Sequence, residues 1–409
     1  DNGQKQNKLE ILYGDVEGSY AISNSFSSLM AKIKANPTGN FVLTRDYDAS
    51  SYISDYSSLA GKNFEFKGTI DGNGHTIRNL NGPLFDILDK ATIKNLTLEN
   101  VYLGNIIASE VGQISTFKSA ALANTAYNGT NISNVHVNGL TIVTRFTGNK
   151  YGGIIGAAYG GSYPVTIKES SVTDLKITGN GSKDSEGDQI GGIAGLIQNT
   201  VIEDCYVEGI IQGNSAVGGI VGEINSSQPS GTNSIIKHSI SKVDIKTSAG
   251  NSGGILGLGS NTVTLTKNIS LSTGSNANRI YGSGSVTLDS TNIAISESTL
   301  KENTDNKIKT ISKDDFSEET LKELDFNETT WNLSNCNYDN LPSLNNDDPR
   351  NKVDYEITKT GVYIPNYEIL KQRKDYYNSN KFALLSFLLD LIPIMVYMYT
   401  NYVDSTYTG

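Results

Sequence analysis

Apolar residues recur at fixed offsets in the middle of the chain. An isoleucine is followed by one apolar residue five positions later and by another eight positions later, and successive starts lie 33 to 39 residues apart. Five segments carry this pattern: Ile93–Leu98–Val101, Ile132–Val137–Leu140, Ile167–Val172–Leu175, Ile202–Val207–Ile210 and Ile235–Ile240–Val243. Within them β-branched residues alternate with polar ones, and Gly, Asn and Ser interrupt the runs. The pattern therefore predicts short strands joined by turns.

A second repeat, Gly-Gly-Ile-x-Gly, is interleaved with the first. Its glycine pairs are Gly152 and Gly153, Gly191 and Gly192, Gly218 and Gly219, and Gly253 and Gly254. Two patterns that share a period of about 35 residues are typical of a repeat architecture, in which no unit buries its apolar face alone. We predict an all-β fold, a right-handed parallel β-helix over residues 65–297. We interpret the glycines as structural, because they allow close packing at corners, whereas a phosphate-binding loop would open onto a helix.

The register predicts which side chains point into the solenoid. The position three residues after each leading isoleucine holds Leu96, Val135, Ser170 and Cys205 in the first four coils. Stacked coils would place these residues in one inward column, which makes Cys205 a packing residue rather than a nucleophile. In the fifth coil the same count reaches His238, which instead turns outward if Ile236 leads that coil.

Both ends of the solenoid are expected to be capped. Residues 1–64 form an N-terminal cap with a short helix, because Phe26, Leu29, Met30 and Ile33 have helical spacing and Pro37 ends the pattern. Residues 298–345 form a C-terminal cap, with a short helix in "SKDDFSEETLKELDF". The single tryptophan, Trp331, is interpreted as a packing plug at that end.

Residues 346–409 differ in composition and predict a small helical segment that begins a following domain. Residues 382–399 are nearly all apolar and are long enough to cross a bilayer. However, Asp390 and Pro393 lie in the middle of this stretch, and a charge there costs about 2.5–3.5 kcal/mol on insertion. We therefore favour a helix packed on protein over a membrane span.

Two groups of residues suggest chemistry but also have simpler interpretations. Asp71 and His75, in "IDGNGHTI", read as an acid–base pair or as residues of a hairpin or tight corner; we favour the corner. Asp184, Glu186 and Asp188 alternate as in a calcium loop, but a solvated acidic loop is the simpler interpretation. A polysaccharide-active β-helix enzyme would need paired carboxylates on an exposed face, and the solenoid has few such pairs.

Composition narrows the function further. The formal net charge is −10, which argues against nucleic acid as the main partner, since phosphate binding needs clustered Lys and Arg. Two cysteines, Cys205 and Cys336, cannot form a disulfide framework. The start, "DNGQKQNKLE", lacks the apolar core of a signal peptide, but a mature product would look the same, so secretion is not excluded.

Several motifs in order resemble a known family. They are "FKGTIDGNGHTIRNLNGPLFDIL", "ATIKNLTLENV", the glycine repeats, "FSEETLKELDF" and "LPSL". Over roughly residues 20–345 they resemble the N-terminal region of the immunoglobulin A1-specific zinc metallopeptidases, which are large secreted, surface-associated proteases of Gram-positive bacteria. The resemblance implies a secreted or cell-surface location and a noncatalytic domain that positions a host glycoprotein such as immunoglobulin A1 for its own catalytic domain.

The chain departs from the family in its histidines. His75, His136 and His238 are followed by Thr, Val and Ser, so the family's zinc-binding His-Glu-x-x-His helix is not encoded. We expect no catalytic, cofactor-binding or metal-binding residue in this chain, and zinc only in a catalytic domain outside it. The alternative is a free-standing bacterial surface β-helix that acts as an adhesin, which the complete reading frame would distinguish.

Overall fold

Each repeat folds into one coil of a solenoid, and its strands pair in parallel with those of the next coil. The computed structural model describes residues 9–12, 25–52, 58–104, 118–143, 149–178, 188–213, 216–225, 231–248, 251–259, 263–289 and 291–345. The parallel β-helix predicted from the sequence is confirmed. The helical segment predicted for residues 346–409, including residues 382–399, lies outside the described residues.

The first face of the solenoid is its largest sheet. Its strands are β1 (Leu9–Leu12), β2 (Asn40–Leu43), β3 (Tyr47–Asp48), β5 (Thr69–Arg78), β7 (Thr92–Leu103), β10 (Asn131–Val143), β13 (Val165–Lys168), β14 (Ser171–Thr178), β17 (Thr200–Glu203), β18 (Tyr206–Gly213), β21 (Ser234–Lys237), β22 (Ile240–Thr247), β25 (Val263–Thr266), β26 (Ile269–Ser270), β27 (Thr273–Ser275), β29 (Thr287–Leu288), β30 (Asn292–Ile295) and β31 (Ile308–Ile311). In the middle coils this face is bent, so two consecutive strands such as β13 and β14 cover it.

Two smaller sheets close the coil. The second face contains β8 (Lys118–Ser119), β11 (Lys150–Gly152), β15 (Gln189–Gly191), β19 (Ala216–Gly218) and β23 (Ser252–Gly253). The third face contains β4 (Glu65–Phe66), β6 (Phe85–Asp89), β9 (Ala123–Tyr127), β12 (Ile155–Tyr159), β16 (Ala194–Gln198), β20 (Val221–Ile224), β24 (Leu256–Gly259) and β28 (Tyr281–Gly284). The Gly-Gly-Ile-x-Gly repeats form the corner between these two faces.

The predicted row of leading isoleucines holds for the first four coils and changes in the fifth. Ile93, Ile132, Ile167 and Ile202 pair in one row, as the sequence predicted. Ile202 then pairs with Ile236 rather than Ile235. The expectation that Ile235 leads the fifth coil is therefore wrong, and the one-residue shift that was left open is the observed arrangement.

The fourth coil contains a second correction. Leu175 pairs with Gly209, which has a φ of 150°, and Lys176 pairs with Ile210. The irregularity between Val172 and Leu175 shifts the row by one residue, so the side chain of Ile210 is 41% exposed instead of buried. A glycine with positive φ supplies this shift at low steric cost.

Every middle coil turns at a residue with positive φ on the first face. Such backbone favours Asn, Asp or Gly, and other residues keep it only where the surrounding structure imposes it. The corner residues are Asn95, Asn134, Glu169, Asp204, His238 and Lys267, with φ between 46° and 56°. His238 is thus a corner residue with a half-buried side chain, not a member of the inward column.

The residue after each corner points inward, and several polar members of this column accept a hydrogen bond from the backbone of the neighbouring coil. Leu96, Val135, Ser170 and Cys205 are buried, which confirms the predicted column. The column continues through fully buried Ser239, Asn268 and Asn292, which the sequence analysis did not foresee. The backbone N–H of Cys205 donates to Ser239 Oγ over 3.2 Å, that of Ser239 to Asn268 Oδ1 over 3.1 Å, and that of Asn268 to Asn292 Oδ1 over 3.0 Å. Polar side chains inside the solenoid therefore hold the corners together.

The glycine repeats bring backbones into close contact. A Cβ placed on Gly153 would lie 2.0 Å from the carbonyl oxygen of Gly192, and one on Gly219 would lie 2.0 Å from the carbonyl oxygen of Gly254. Contacts this short exclude any side chain. Glycine at these positions therefore has a packing role.

One helix precedes the first complete coils. Helix α1 (Phe26–Ala35) begins at Ser25, whose hydroxyl accepts from the N–H of Ser28 over 3.3 Å, and ends at Asn36, just before Pro37. Its apolar side chains, Phe26, Leu29, Met30 and Ile33, join the main core, as predicted. Among the described residues we find no helix with the length and hydropathy required to cross a membrane.

Candidate functional site

Residues 313–344, which we call the flank segment, run back along the outside of the first face. They contain a 3-10 turn (Lys313–Asp315), helix α2 (Glu318–Glu323) and the antiparallel pair β32 (Trp331–Asn332) and β33 (Ser343–Leu344). Their apolar side chains cover Ile240, Ile269 and Ile293, which point out of the solenoid. A second, smaller core thus forms between the segment and the solenoid.

Trp331 anchors the flank segment. Its ring is fully buried, its centroid lies 5.4 Å from that of Phe326, and its Nε1–H donates to Asp204 Oδ1 over 2.9 Å. Asp204 is the corner residue of the fourth coil. The interpretation of Trp331 as a plug at the C-terminal end is corrected: it packs on the side of the solenoid, because outward isoleucines there leave an apolar surface to cover.

A groove of about 310 Å³ remains between the flank segment and the first face. We call it the flank groove. The wall on the solenoid is formed by Ser171, Thr173, Tyr206, Glu208 and Lys242, which project from β14, β18 and β22. Residues 339, 341, 342, 343 and 344 of the flank segment form the opposite wall. A rigid sheet thus presents polar side chains to a largely apolar wall.

The polar groups of the solenoid wall contact one another. The Tyr206 hydroxyl donates to Glu208 Oε2 over 2.7 Å. Burial, and then this carboxylate, raise the pKa of Tyr206, so its hydroxyl stays protonated. Lys242 Nζ lies 3.5 Å from Glu208 Oε1 and 5.7 Å from the ring centroid of Tyr338. The wall therefore carries one carboxylate and one ammonium group on a rigid support.

Three potential metal ligands lie close together at the corners of the fourth and fifth coils. Single atoms of Glu203, Asp204 and His238 lie within 4.8 Å of one another. Both oxygens of Glu203 are engaged, one by Lys168 over 2.7 Å and the other by Lys237 over 2.6 Å. Although burial opposes the charge, these lysines hold the pKa of Glu203 below its usual value.

The other two members are also poor zinc ligands. Asp204 accepts the Trp331 hydrogen bond, and burial raises its pKa to about 6. Burial, followed by repulsion from nearby lysines, lowers the pKa of His238. A divalent cation here would displace two lysines and meet their charge, so the residues do not fit zinc.

The structure gives each histidine a different environment. His75 Nδ1 lies 3.2 Å from Asp46 Oδ1, near the start of the solenoid. His136 projects from the outer side of β10, as alternation predicted, and its Nδ1 lies 2.8 Å from Ser171 Oγ. The His238 ring lies 5.6 Å from that of Phe326.

Asp71 and His75 each contact other residues, which favours the structural interpretation. Asp71 is buried and accepts from the N–H of Asn73 over 2.9 Å and from Lys94 Nζ over 3.2 Å. Strand β5 passes through both residues, with a register shift between them. The hairpin alternative is wrong; the sequence "DGNG" makes a tight bend within a parallel strand, and Asn73 and Gly74 take positive φ there.

The candidate calcium loop is only partly described. Asp184 and Glu186 lie outside the described residues. Asp188 is only 1% exposed, and its Oδ1 accepts from the backbone N–H of Asn149 over 3.2 Å. For Asp188 the expectation of a solvated acidic residue is wrong, because its carboxylate ties two coils together.

Comparison with known proteins identifies a similar protein family. Residues 15–139 match the model of the M26 IgA1-specific metallo-endopeptidase N-terminal region. This segment is therefore similar to the N-terminal region of that family. The resemblance predicted from the motifs is thereby confirmed.

Curated proteins similar to this chain are much longer than it is. It is 31% identical over 237 residues to an immunoglobulin A1 protease of Streptococcus sanguinis, which covers 48% of this chain and 12% of that relative. It is 29% identical over 237 residues to an immunoglobulin A1 protease of Streptococcus pneumoniae strain R6, with 48% and 11% covered. The aligned part of the chain thus spans about an eighth of the length of these relatives.

Solved structures share the fold. An IgA1 protease structure superposes with a TM-score of 0.54 at 21% identity, over 85% of this chain and 26% of that one. A Bacteroides ovatus crystal structure described as a candidate immunoglobulin A1 protease gives a TM-score of 0.54 at 18% identity, over 80% of this chain and 94% of that one. At these identities the likeness concerns the β-helix alone.

Sequence reasoning found the coils but missed the flank groove. Tyr206 and Glu208 on one coil, and Lys242 on the next, occupy outward positions, where the repeat places no constraint on side-chain type. One signal was available in the sequence: Ile240, Ile269 and Ile293 are apolar at the outward position that follows the inward column residue. Apolar residues on an outward row indicate that another segment covers it.

Proposed function

We propose that this chain is a noncatalytic, N-terminal substrate-binding region of a secreted or surface-associated metallo-endopeptidase. It holds a host glycoprotein such as immunoglobulin A1 while a catalytic domain, outside this sequence, cleaves it. The match of residues 15–139 to the M26 N-terminal region carries the proposal.

The chemistry of the chain supports a binding role. Cleavage by a metallopeptidase needs a zinc ion held by converging ligands, together with a base. Here His75 contacts Asp46 and His136 contacts Ser171, while the cluster around His238 is neutralised by lysines. A rigid solenoid with a lateral groove is instead suited to recognition, because strands hold side chains at fixed spacing.

The test separates binding from cleavage. The purified chain is measured by biolayer interferometry against immobilised immunoglobulin A1, with immunoglobulin G as the matched control. We expect saturable binding to immunoglobulin A1 alone, and intact heavy chains after prolonged incubation with or without zinc. Cleavage that depends on added zinc would refute the noncatalytic role, and equal binding to both immunoglobulins would refute the proposed substrate.

A further inference from the structure

A chain of hydrogen bonds crosses four coils and ends in the flank groove. It begins at Asp71, whose Oδ1 accepts from Asn95 Nδ2 over 3.0 Å. Asn95 Oδ1 accepts from Asn134 Nδ2 over 2.9 Å, and Asn134 Oδ1 lies 2.6 Å from His136 Nε2. His136 Nδ1 lies 2.8 Å from Ser171 Oγ, which lines the groove.

The first residue fixes the direction of the whole chain. An ionised carboxylate only accepts hydrogen bonds, so Asn95 must turn its NH₂ group towards Asp71. Asn95 then offers an oxygen to Asn134, and Asn134 offers an oxygen to His136. His136 consequently carries its proton on Nε2, and its Nδ1 lone pair accepts the hydrogen of Ser171. The Ser171 hydroxyl therefore faces the groove as an acceptor.

The other two hydroxyl groups of this wall are committed in the same way. The Thr173 hydroxyl donates to Asn138 Oδ1 over 3.2 Å, and the Tyr206 hydroxyl donates to Glu208 Oε2 over 2.7 Å. Each oxygen has lone pairs left and no hydrogen to give. The wall thus presents acceptors towards the groove, and the ammonium of Lys242 is the donor among its side chains.

The charge of the groove also favours a ligand that donates hydrogen bonds. Glu208 and Asp339 are carboxylates on opposite walls and Lys242 is the one cation among the groove's lining residues, so the lining carries a net charge of −1. Opposite the acceptors lie Leu341, Pro342 and Leu344, of which Pro342 and Leu344 are buried. A complementary ligand has many donors, no acceptor at its tip, a positive charge and an apolar stem.

We propose that the flank groove binds an arginine side chain of a polypeptide ligand. A guanidinium group has five N–H donors, no acceptor and a permanent charge, which matches the acceptor wall and Glu208. Its aliphatic stem packs on Leu341 and Pro342. Lys242 competes for Glu208 and tunes the affinity. The proposal goes beyond the proposed function and is tested separately from immunoglobulin binding.

The experiment uses the complete chain and small peptides. Acetyl-Gly-Arg-Gly-amide is titrated by heteronuclear NMR, alongside the same peptide with citrulline, which keeps the shape but removes the charge. A cellobiose titration tests a saccharide as occupant. We expect saturable shifts with the arginine peptide, and binding weaker by about 10-fold or more with citrulline, since a hydrogen bond to a charged group is worth at least about one tenfold step. Equal binding of the two peptides, or preferential binding of cellobiose, would refute the proposal.

Variants locate the site. Glu208→Gln should weaken binding of the arginine peptide about 10- to 100-fold, and Lys242→Met should strengthen it, because the competing cation is gone. Asp244→Asn is the matched control: this carboxylate lies on the same strand as Lys242, pairs with Lys246 over 3.0 Å and lies outside the groove. Asp339→Asn changes an exposed loop carboxylate and is a second test that leaves the sheet intact. Equal loss in Glu208→Gln and Asp244→Asn would overturn the assignment, as would unchanged affinity in both carboxylate variants of the groove, Glu208→Gln and Asp339→Asn.

Discussion

Asn268 provides a sharp test of the inward polar column. It is fully buried; its Oδ1 accepts from the N–H of Ser239 over 3.1 Å, and its Nδ2 donates to the carbonyl of Ile236 over 2.7 Å and to Asn292 Oδ1 over 3.0 Å. Asn268→Leu keeps the side chain's approximate size but removes all three contacts. The replacement therefore isolates the polar role from the packing role.

The expected cost follows from these contacts. The N–H of Ser239 loses its acceptor in a dry interior, which costs about 1–3 kcal/mol, and each of the two other lost hydrogen bonds costs about 0.5–1.5 kcal/mol. The sum is about 2–6 kcal/mol. Since the coils of a solenoid depend mainly on their neighbours, the loss is felt first in the coil that contains Ser239.

Native-state hydrogen exchange read by mass spectrometry measures this locally. Peptides that contain the Ser239 amide should exchange at least about 30-fold faster in Asn268→Leu, since about 1.4 kcal/mol corresponds to a factor of ten. Asn233→Leu is the control, because Asn233 is an exposed residue of the same coil that bonds only to Thr264 among the contacts seen. If both variants exchange alike at Ser239, the column does not support the corners as argued.

Two further predictions concern burial and pH. Ile220→Asp should destabilise the fold by several kcal/mol in urea unfolding, because Ile220 is fully buried, whereas Ile210→Asp, at a side chain 41% exposed, should change stability little; similar losses would contradict the register. The pKa of Asp204 is raised to about 6 from an unfolded value of 3.8, so its contribution to stability falls as pH rises from about 4 to 6. Asp204→Asn keeps the acceptor for Trp331 and removes the buried charge. The variant should therefore be more stable than the native chain at pH 7.5 and lose this advantage at pH 4, with unfolding followed by the fluorescence of the single tryptophan. A stability difference that does not change with pH would show that burial does not destabilise the charged carboxylate of Asp204.

Most of the solenoid could be predicted because each coil buries apolar residues at equivalent positions. The row Ile93, Ile132, Ile167 and Ile202 follows from apolar spacing alone, since a parallel sheet requires equivalent positions to stack. The predicted inward positions were wrong where a backbone irregularity changed the number of residues between equivalent positions. At Gly209 a single residue of unusual φ shifts the row, and nothing in the apolar pattern marks a bulge.

The candidate site could not be predicted for a different reason. Trp331 and Asp204 are separated by 127 positions, and the side chain of Asp204 is placed by a corner that other coils form with Asn, Glu, His or Lys. Outward residues on the solenoid are therefore unconstrained by the repeat. Contacts between such residues and a distant segment depend on tertiary packing, which periodicity does not encode.

Coil length varies while the register stays constant. From Ile93 to Ile132 the chain takes 39 residues, and from Leu265 to Leu288 it takes 23, yet each pair occupies adjacent places in the same row. Doubling the length of a flexible connection costs only about 0.6 kcal/mol in closure entropy. The strands thus act as a fixed frame, and insertions at the corners are thermodynamically cheap. Descendants of such a chain can gain or lose surface loops by small duplications and deletions without refolding their core, so surface contacts can diverge faster than the fold that carries them.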